Sequence, residues 1–292
     1  MEAGIVYAVM AGLFWGTSPV LVKRGLVHSN VSVATLLQQA TILITLIGAA
    51  LMEGVFYNVS LSSIAIMVFA LAGVIGAYLG RTLFVKSVHQ IGAARAQAIN
   101  NSSPFVTVLL AGFLLGESLT IFVVSGVVLI LSGVYFAAEP VPTLDGQSHR
   151  HKITSASILA TLCYGVVPVL KKFGTETGAP PVLGALVMHA TGLLFLVALG
   201  SLLKIELKWE KIRLHSFSCF VAAGVLYALG SIMTLRALVY APASIVAPIW
   251  SAQPIVSSFL AKAALKGIEK VGFKDGIAAA LVVAGVLVLR LG

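Results

Sequence analysis

The chain has 292 residues, 59% of them hydrophobic and only 10% charged, a balance that places it in a lipid bilayer rather than in water. Nineteen Lys and Arg against ten Asp and Glu give a net charge of +9. Those charges sit in short connections between apolar runs, so they read as membrane-orientation signals and not as a nucleic-acid surface. Two cysteines, Cys163 and Cys219, both inside apolar runs, exclude a disulfide framework and fit no metal site.

A helix needs about 20 mainly apolar residues to cross a bilayer core of roughly 30 Å. Runs of that kind occur at residues 3–22, 31–51, 62–86, 92–114, 120–138, 154–173, 181–203, 214–236, 243–265 and 273–291. The first run is not an export signal. It has Glu2 and no Lys or Arg before it, and no cleavage site leading to a soluble domain. Residues 139–153 (EPVPTLDGQSHRHKI) have the composition of a linker. Residues 204–213 (KIELKWEKIR) read as an amphipathic interfacial stretch with Trp209 in the aromatic belt.

With ten spans both termini share one face. That face receives Lys171, Lys172, Arg236 and Arg290, and the other face receives the remaining fifteen basic residues. The positive-inside rule therefore predicts both termini outside.

Against itself at an offset near 150, the chain shows a repeat. LFWGTSPVLVKRG at 13–25 matches LCYGVVPVLKKFG at 162–174, with Leu13, Gly16, Pro19, Val20, Leu21, Lys23 and Gly25 recurring as Leu162, Gly165, Pro168, Val169, Leu170, Lys172 and Gly174. Trp15 faces Tyr164. Gly80, Lys86, Ile99, Pro104 and Val106 recur as Gly230, Arg236, Ile249, Pro254 and Val256, and Glu117 and Gly133 as Glu269 and Gly285. The predicted fold is all-α: a polytopic membrane protein of ten transmembrane helices in two five-helix repeats, residues 1–138 and 154–292. An odd number of spans per half inverts the second copy, a recurrent design of secondary transporters. Duplication that only builds a stable bundle is the plainer reading.

This pattern resembles the drug/metabolite transporter superfamily, in its ten-helix branch with two EamA domains. The resemblance rests on the aromatic-Gly segment and downstream Lys of each first helix (Trp15, Gly16, Lys23; Tyr164, Gly165, Lys172), on Pro104 and Pro254 in the fourth helices, and on Gly116 and Glu117 opening the fifth, followed by Gly126 and Gly133. It implies an exporter or facilitator of amino acids, other metabolites or drugs. It also implies a cavity lined by the first, third and fourth helices of each half, with the fifth at the periphery. Members usually keep both termini in the cytoplasm and carry Lys or Arg between the second and third helices. The connection at 53–60 (EGVFYNVS) has neither.

Ionisable groups at bilayer depth tend to be functional. All ten acidic residues fall at span ends or in connections, which disfavours a cation pump driven through a mid-membrane carboxylate. Arg81 lies well inside the third span. It either faces the cavity and binds a carboxylate or phosphate, or snorkels to the interface beside Lys86. Gln97, Asn100, Asn101 and Pro104 share one face of the fourth helix, and the matching stretch of the second half offers Trp250, Ser251, Gln253 and Pro254. Those groups suit a polar solute, and equally suit interhelical bonding. Pro104 and Pro254 are candidate hinges. Trp15, Tyr164, Tyr78 and Tyr227 are candidate walls of an aromatic pocket, or core.

His189 is the only histidine deep in a span; it and Gln38 and Gln39 read as packing residues. His149 and His151 make a poor metal site. The expected function is secondary transport of a small organic solute by alternating access, in the cell membrane, as a monomer or homodimer, with no catalytic residue, no metal and no cofactor. Arg81 tilts the expectation towards solutes with an anionic group. An intramembrane lipid-modifying enzyme and a multidrug efflux carrier are the alternatives.

Overall fold

The computed structural model describes residues 1–26, 29, 31–58, 62–91, 96, 99–137, 154–202, 213–264 and 273–291. The linker 139–153, the interfacial stretch but for its last residue, and Gln97 lie outside the described residues. Described residues form helices and turns, because in lipid each backbone N–H and C=O must find its partner within the segment. In the first half these are α1 (Glu2–Leu26), α2 (Val31–Met52), the short α3 (Val55–Asn58), α4 (Ser63–Ala72), a π-helical stretch (Gly73–Gly80), α5 (Arg81–Ile91), α6 (Ser103–Leu114) and α7 (Ile121–Ala137). In the second half they are α8 (Ser155–Glu176), α9 (Pro181–Leu202), α10 (Leu214–Tyr240), α11 (Ala243–Trp250), α12 (Gln253–Ala264) and α13 (Phe273–Leu289).

The third span is α4, the π stretch and α5 end to end, and the ninth is α11 and α12 interrupted at Ser251 and Ala252. Ten transmembrane helices in two inverted five-helix repeats result. Six helical runs among the described residues are at least 18 residues long and apolar enough to span on those grounds alone, and shorter apolar helices occur in the fourth, fifth and tenth spans. Ile44, Met67, Phe113 and Ile121 are exposed, as residues facing acyl chains are expected to be.

Packing is reciprocal between the halves. Helix α1 lies along α10 and against α11 and α12, while α8 lies along the third span and α6. Small residues set the spacing. A Cβ on Gly16 would come 2.6 Å from Val256 Cβ, and one on Gly165 would come 2.5 Å from Val106 Cβ. Ser257 Oγ donates to Gly16 O at 2.6 Å, and Thr107 Oγ1 to Gly165 O at 2.8 Å. Further along the same helices, Phe220 fills the space beside Gly25 and Phe69 the space beside Gly174. Each repeat thus inserts its first helix into the other repeat by the same contacts. The fifth helices α7 and α13 pack on each other, with Gly126 and Gly285 at the crossing.

On the face of the termini the halves are also tied by charge. Glu117, placed by Gly116 at φ 65°, accepts from Ala243 N at 2.7 Å, Ser244 N at 2.9 Å and Ser244 Oγ at 2.6 Å, so a carboxylate of one half caps α11 of the other. Arg236 meets Glu53 at 2.6 Å, Arg290 pairs with Glu2, and the Tyr7 and Tyr240 rings stack at 5.9 Å.

Candidate functional site

Midway along α1, the Trp15 indole donates to Tyr227 O at 3.1 Å. It fits there because position 230 is glycine: a Cβ at that point would lie 2.5 Å from the indole. Trp15 also meets Tyr227 at 5.6 Å and the edge of Trp250 at 5.1 Å between centroids. Spans one, eight and nine therefore supply one aromatic cluster. Tyr227 is 36% exposed although it touches buried neighbours, so one side of the cluster is not filled by protein.

Two buried polar side chains border it. Lys171, only 4% exposed, holds Nζ 5.4 Å from the Trp15 ring centroid. Lys171, counted above among the charges of the termini face, is buried, its Nζ over the Trp15 ring rather than on an exposed surface. The three cations left there, Lys172, Arg236 and Arg290, each have a carboxylate partner. His189, 5% exposed, sets its ring edge-on to Tyr227 at 5.8 Å and places Nε2 2.9 Å from Ser231 Oγ. Ser231 Oγ in turn donates to Tyr227 O at 3.0 Å. With that proton committed, His189 Nε2–H is the donor and Nδ1, buried without a partner, is an acceptor. Trp250 Nε1 is likewise buried with no acceptor.

Arg81 opens α5 directly after the π stretch, ten residues before Ile91. Its guanidinium is within electrostatic reach of the Tyr164 and Tyr227 hydroxyls. Tyr164 passes beside Gly80, where a Cβ would sit 3.5 Å from its ring. Tyr78, in contrast, meets Phe195 of α9 at 6.0 Å, turned towards the seventh span.

The fourth spans are breaks rather than kinks. Asn101 and Ser102 form a turn and Pro104 stands in the first turn of α6; Ser251 and Ala252 form the matching turn and Pro254 is the second residue of α12. A proline in the first helical turn has no intrahelical N–H bond to lose, and discontinuous helices near the midplane are a usual means of building transporter sites. Asn100 Oδ1 is buried beside the first break without a partner. Gln253 opens α12, its carbonyl accepting from Ser257 at 3.2 Å. Gln38 Nε2 donates to Ser18 Oγ at 3.2 Å.

The structure thus gathers Trp15, Tyr227 and Trp250, with Arg81 and Tyr164 nearby, and turns Tyr78 aside. Sequence reasoning overlooked Lys171, Ser231, Thr107 and Ser257. Only the last two had a usable signal, a hydroxyl recurring at an offset of 150. Among the described residues no group of three or more His, Cys, Asp or Glu is placed to hold a metal.

The model of a family described as the EamA-like transporter family matches residues 2–138 and 152–291. A protein crystal structure superposes with a TM-score of 0.77 over 99% of this chain and 96% of its own, at 20% identity, a likeness of fold. No curated protein matches.

Proposed function

The chain belongs to the EamA-like transporter family, and from that premise we propose that it is a secondary carrier of small organic solutes, an exporter or facilitator working by alternating access. It is a multi-pass membrane protein and a transporter of the drug/metabolite superfamily. The observation that carries the finer reading is the reciprocal seating of each first helix against the broken fourth span of the other half, around the Trp15, Tyr227 and Trp250 cluster. Two similar halves that embrace in this way can exchange roles, opening the space between them to one face and then the other. Arg81, Tyr164, Asn100 and Gln253 supply the polar part of the cavity.

A multidrug carrier of organic cations is the weaker reading. Arg81 and Lys171 both stand beside the aromatic groups that would receive such a cation, and like charges repel strongly away from water. An intramembrane enzyme would need a free nucleophile beside a base; the Ser231 hydroxyl beside His189 instead donates to Tyr227 O, which makes that reading the weaker one. We place the protein in the cell membrane with the face of fifteen basic residues in the cytoplasm and both termini outside. The working unit we propose is a monomer or a homodimer.

Purified protein in liposomes tests the reading. Saturable uptake of at least one labelled solute, accelerated by the same solute trapped inside, is the expected result across a screen of amino acids, organic anions and aromatic cations. Flux that grows linearly with concentration and shows no counterflow would exclude a carrier.

A further inference from the structure

We propose that Lys171 is the anion-binding residue of this carrier, and that its substrates are organic monocarboxylates with an apolar body. The inference rests on the transporter reading and names the substrate class for it. Among the described residues Lys171 has no hydrogen-bond acceptor and no carboxylate, although it is 4% exposed and Lys172 beside it has both, bonding Leu238 O at 2.8 Å and Glu176 at 3.5 Å. A buried ammonium facing only an indole ring is poorly compensated, since its charge is stabilised by acceptors and counter-ions that the fold does not provide. Such a group is retained where a ligand supplies the missing negative charge.

Two further atoms point to the same ligand. Trp250 Nε1 is a donor with no acceptor, on a ring set at right angles to the Trp15 ring over which Lys171 Nζ lies. A carboxylate accepts from both an ammonium and an indole N–H. His189 Nδ1 is an unpartnered acceptor on a ring set edge-on to Tyr227, the same ring that meets Trp15. A hydroxyl next to the carboxylate would satisfy it, whereas an ammonium there would be repelled by Lys171. The exposed side of Tyr227, beside the Trp15 and Trp250 rings, offers an aromatic surface for the rest of the solute.

Helix register separates Lys171 from the other candidate cation. Lys171 lies seven residues beyond Tyr164 towards the termini face, about 10 Å along α8, whereas Arg81 follows Gly80, which packs on the Tyr164 ring.

The test uses the full chain, with 3-phenyllactate, its uncharged amide and phenethylamine as probes, and Lys171→Met and Lys171→Arg as variants. Binding is read by thermal shift and tryptophan fluorescence in detergent, and transport by counterflow in liposomes. The expected result is that 3-phenyllactate binds Lys171→Met at least about tenfold more weakly than wild type, with Lys171→Arg intermediate and the amide unaffected. In the absence of solute, Lys171→Met should melt no lower than wild type, because an unpaired charge has been removed. A lower melting temperature would assign Lys171 a structural role and overturn the proposal. Equal carboxylate binding by wild type and Lys171→Met would also overturn it, while saturable counterflow of some other solute left the carrier reading standing. Carboxylate binding lost in Lys171→Met without counterflow of any solute would keep the site and remove the carrier.

Discussion

Replacing Gly16 by alanine should loosen the contact between the two halves, and the cost follows from the coordinates. The new Cβ would lie 2.6 Å from Val256 Cβ and 2.7 Å from Gln253 O, about 1 Å inside the usual carbon contact of about 3.5–4.0 Å. Both neighbours belong to the first turn of α12, so α1 and α12 must separate by about that amount. Overpacking of this size costs about 1–3 kcal/mol. Separation also stretches the Ser257 to Gly16 bond, now 2.6 Å, whose loss adds ~0.5–1.5 kcal/mol. A total of roughly 2–4 kcal/mol lowers the melting temperature by roughly 3–7 °C for a chain of this size. The assay is thermal unfolding in detergent beside Gly48→Ala, where no atom lies within 4 Å of the added carbon. Gly165→Ala, its mate in the second half, should behave like Gly16→Ala. If all three variants melt together, the reciprocal packing argument is wrong.

Removing the carboxylate cap by Glu117→Ala leaves two backbone N–H groups of α11 unbonded and should cost about 2–4 kcal/mol, with Glu117→Gln losing roughly half as much in the same melting assay. Trp15→Phe keeps the ring contacts but strips the donor from Tyr227 O, for a predicted loss of ~1 kcal/mol and weaker solute binding by counterflow. For orientation, Ser29→Cys in a chain lacking Cys163 and Cys219 should react with an impermeant maleimide only after cells are lysed. Labelling of intact cells would reverse the proposed topology.

The spans and the duplication were legible because both are local: run length reports bilayer crossing, and an offset of 150 reports descent from one five-helix unit. Trp15, Tyr227 and Trp250 were visible as candidates one at a time, but their meeting depends on α1 entering the opposite repeat, which no local pattern encodes. Lys171 was misread because it precedes Lys172 near a helix end, where two basic residues look like an interfacial pair. A helical turn of 100° per residue separates them, sending Lys172 to Leu238 O and Lys171 to the Trp15 ring. Pro104 and Pro254 suggested kinks in continuous helices. Both instead follow short interruptions of the helix, turns at 101–102 and 251–252.

The symmetry of the two halves is not complete. Residues Gly73–Gly80 wind as a π-helix, while their counterparts at 223–230 continue the regular turns of α10. A π stretch fits more residues into each turn than the α-helix it interrupts, so the two third spans differ in their winding, and Arg81 directly follows the π stretch. Were the repeats interchangeable, the empty protein would spend equal time open to either side. In the carrier proposed above, an unequal pair of third spans would remove that degeneracy and give the resting molecule a preferred side. A passive carrier still obeys the solute gradient, so net direction is unchanged, but influx and efflux acquire different half-saturation concentrations. Kinetic polarity would in that case be written into eight residues of one helix.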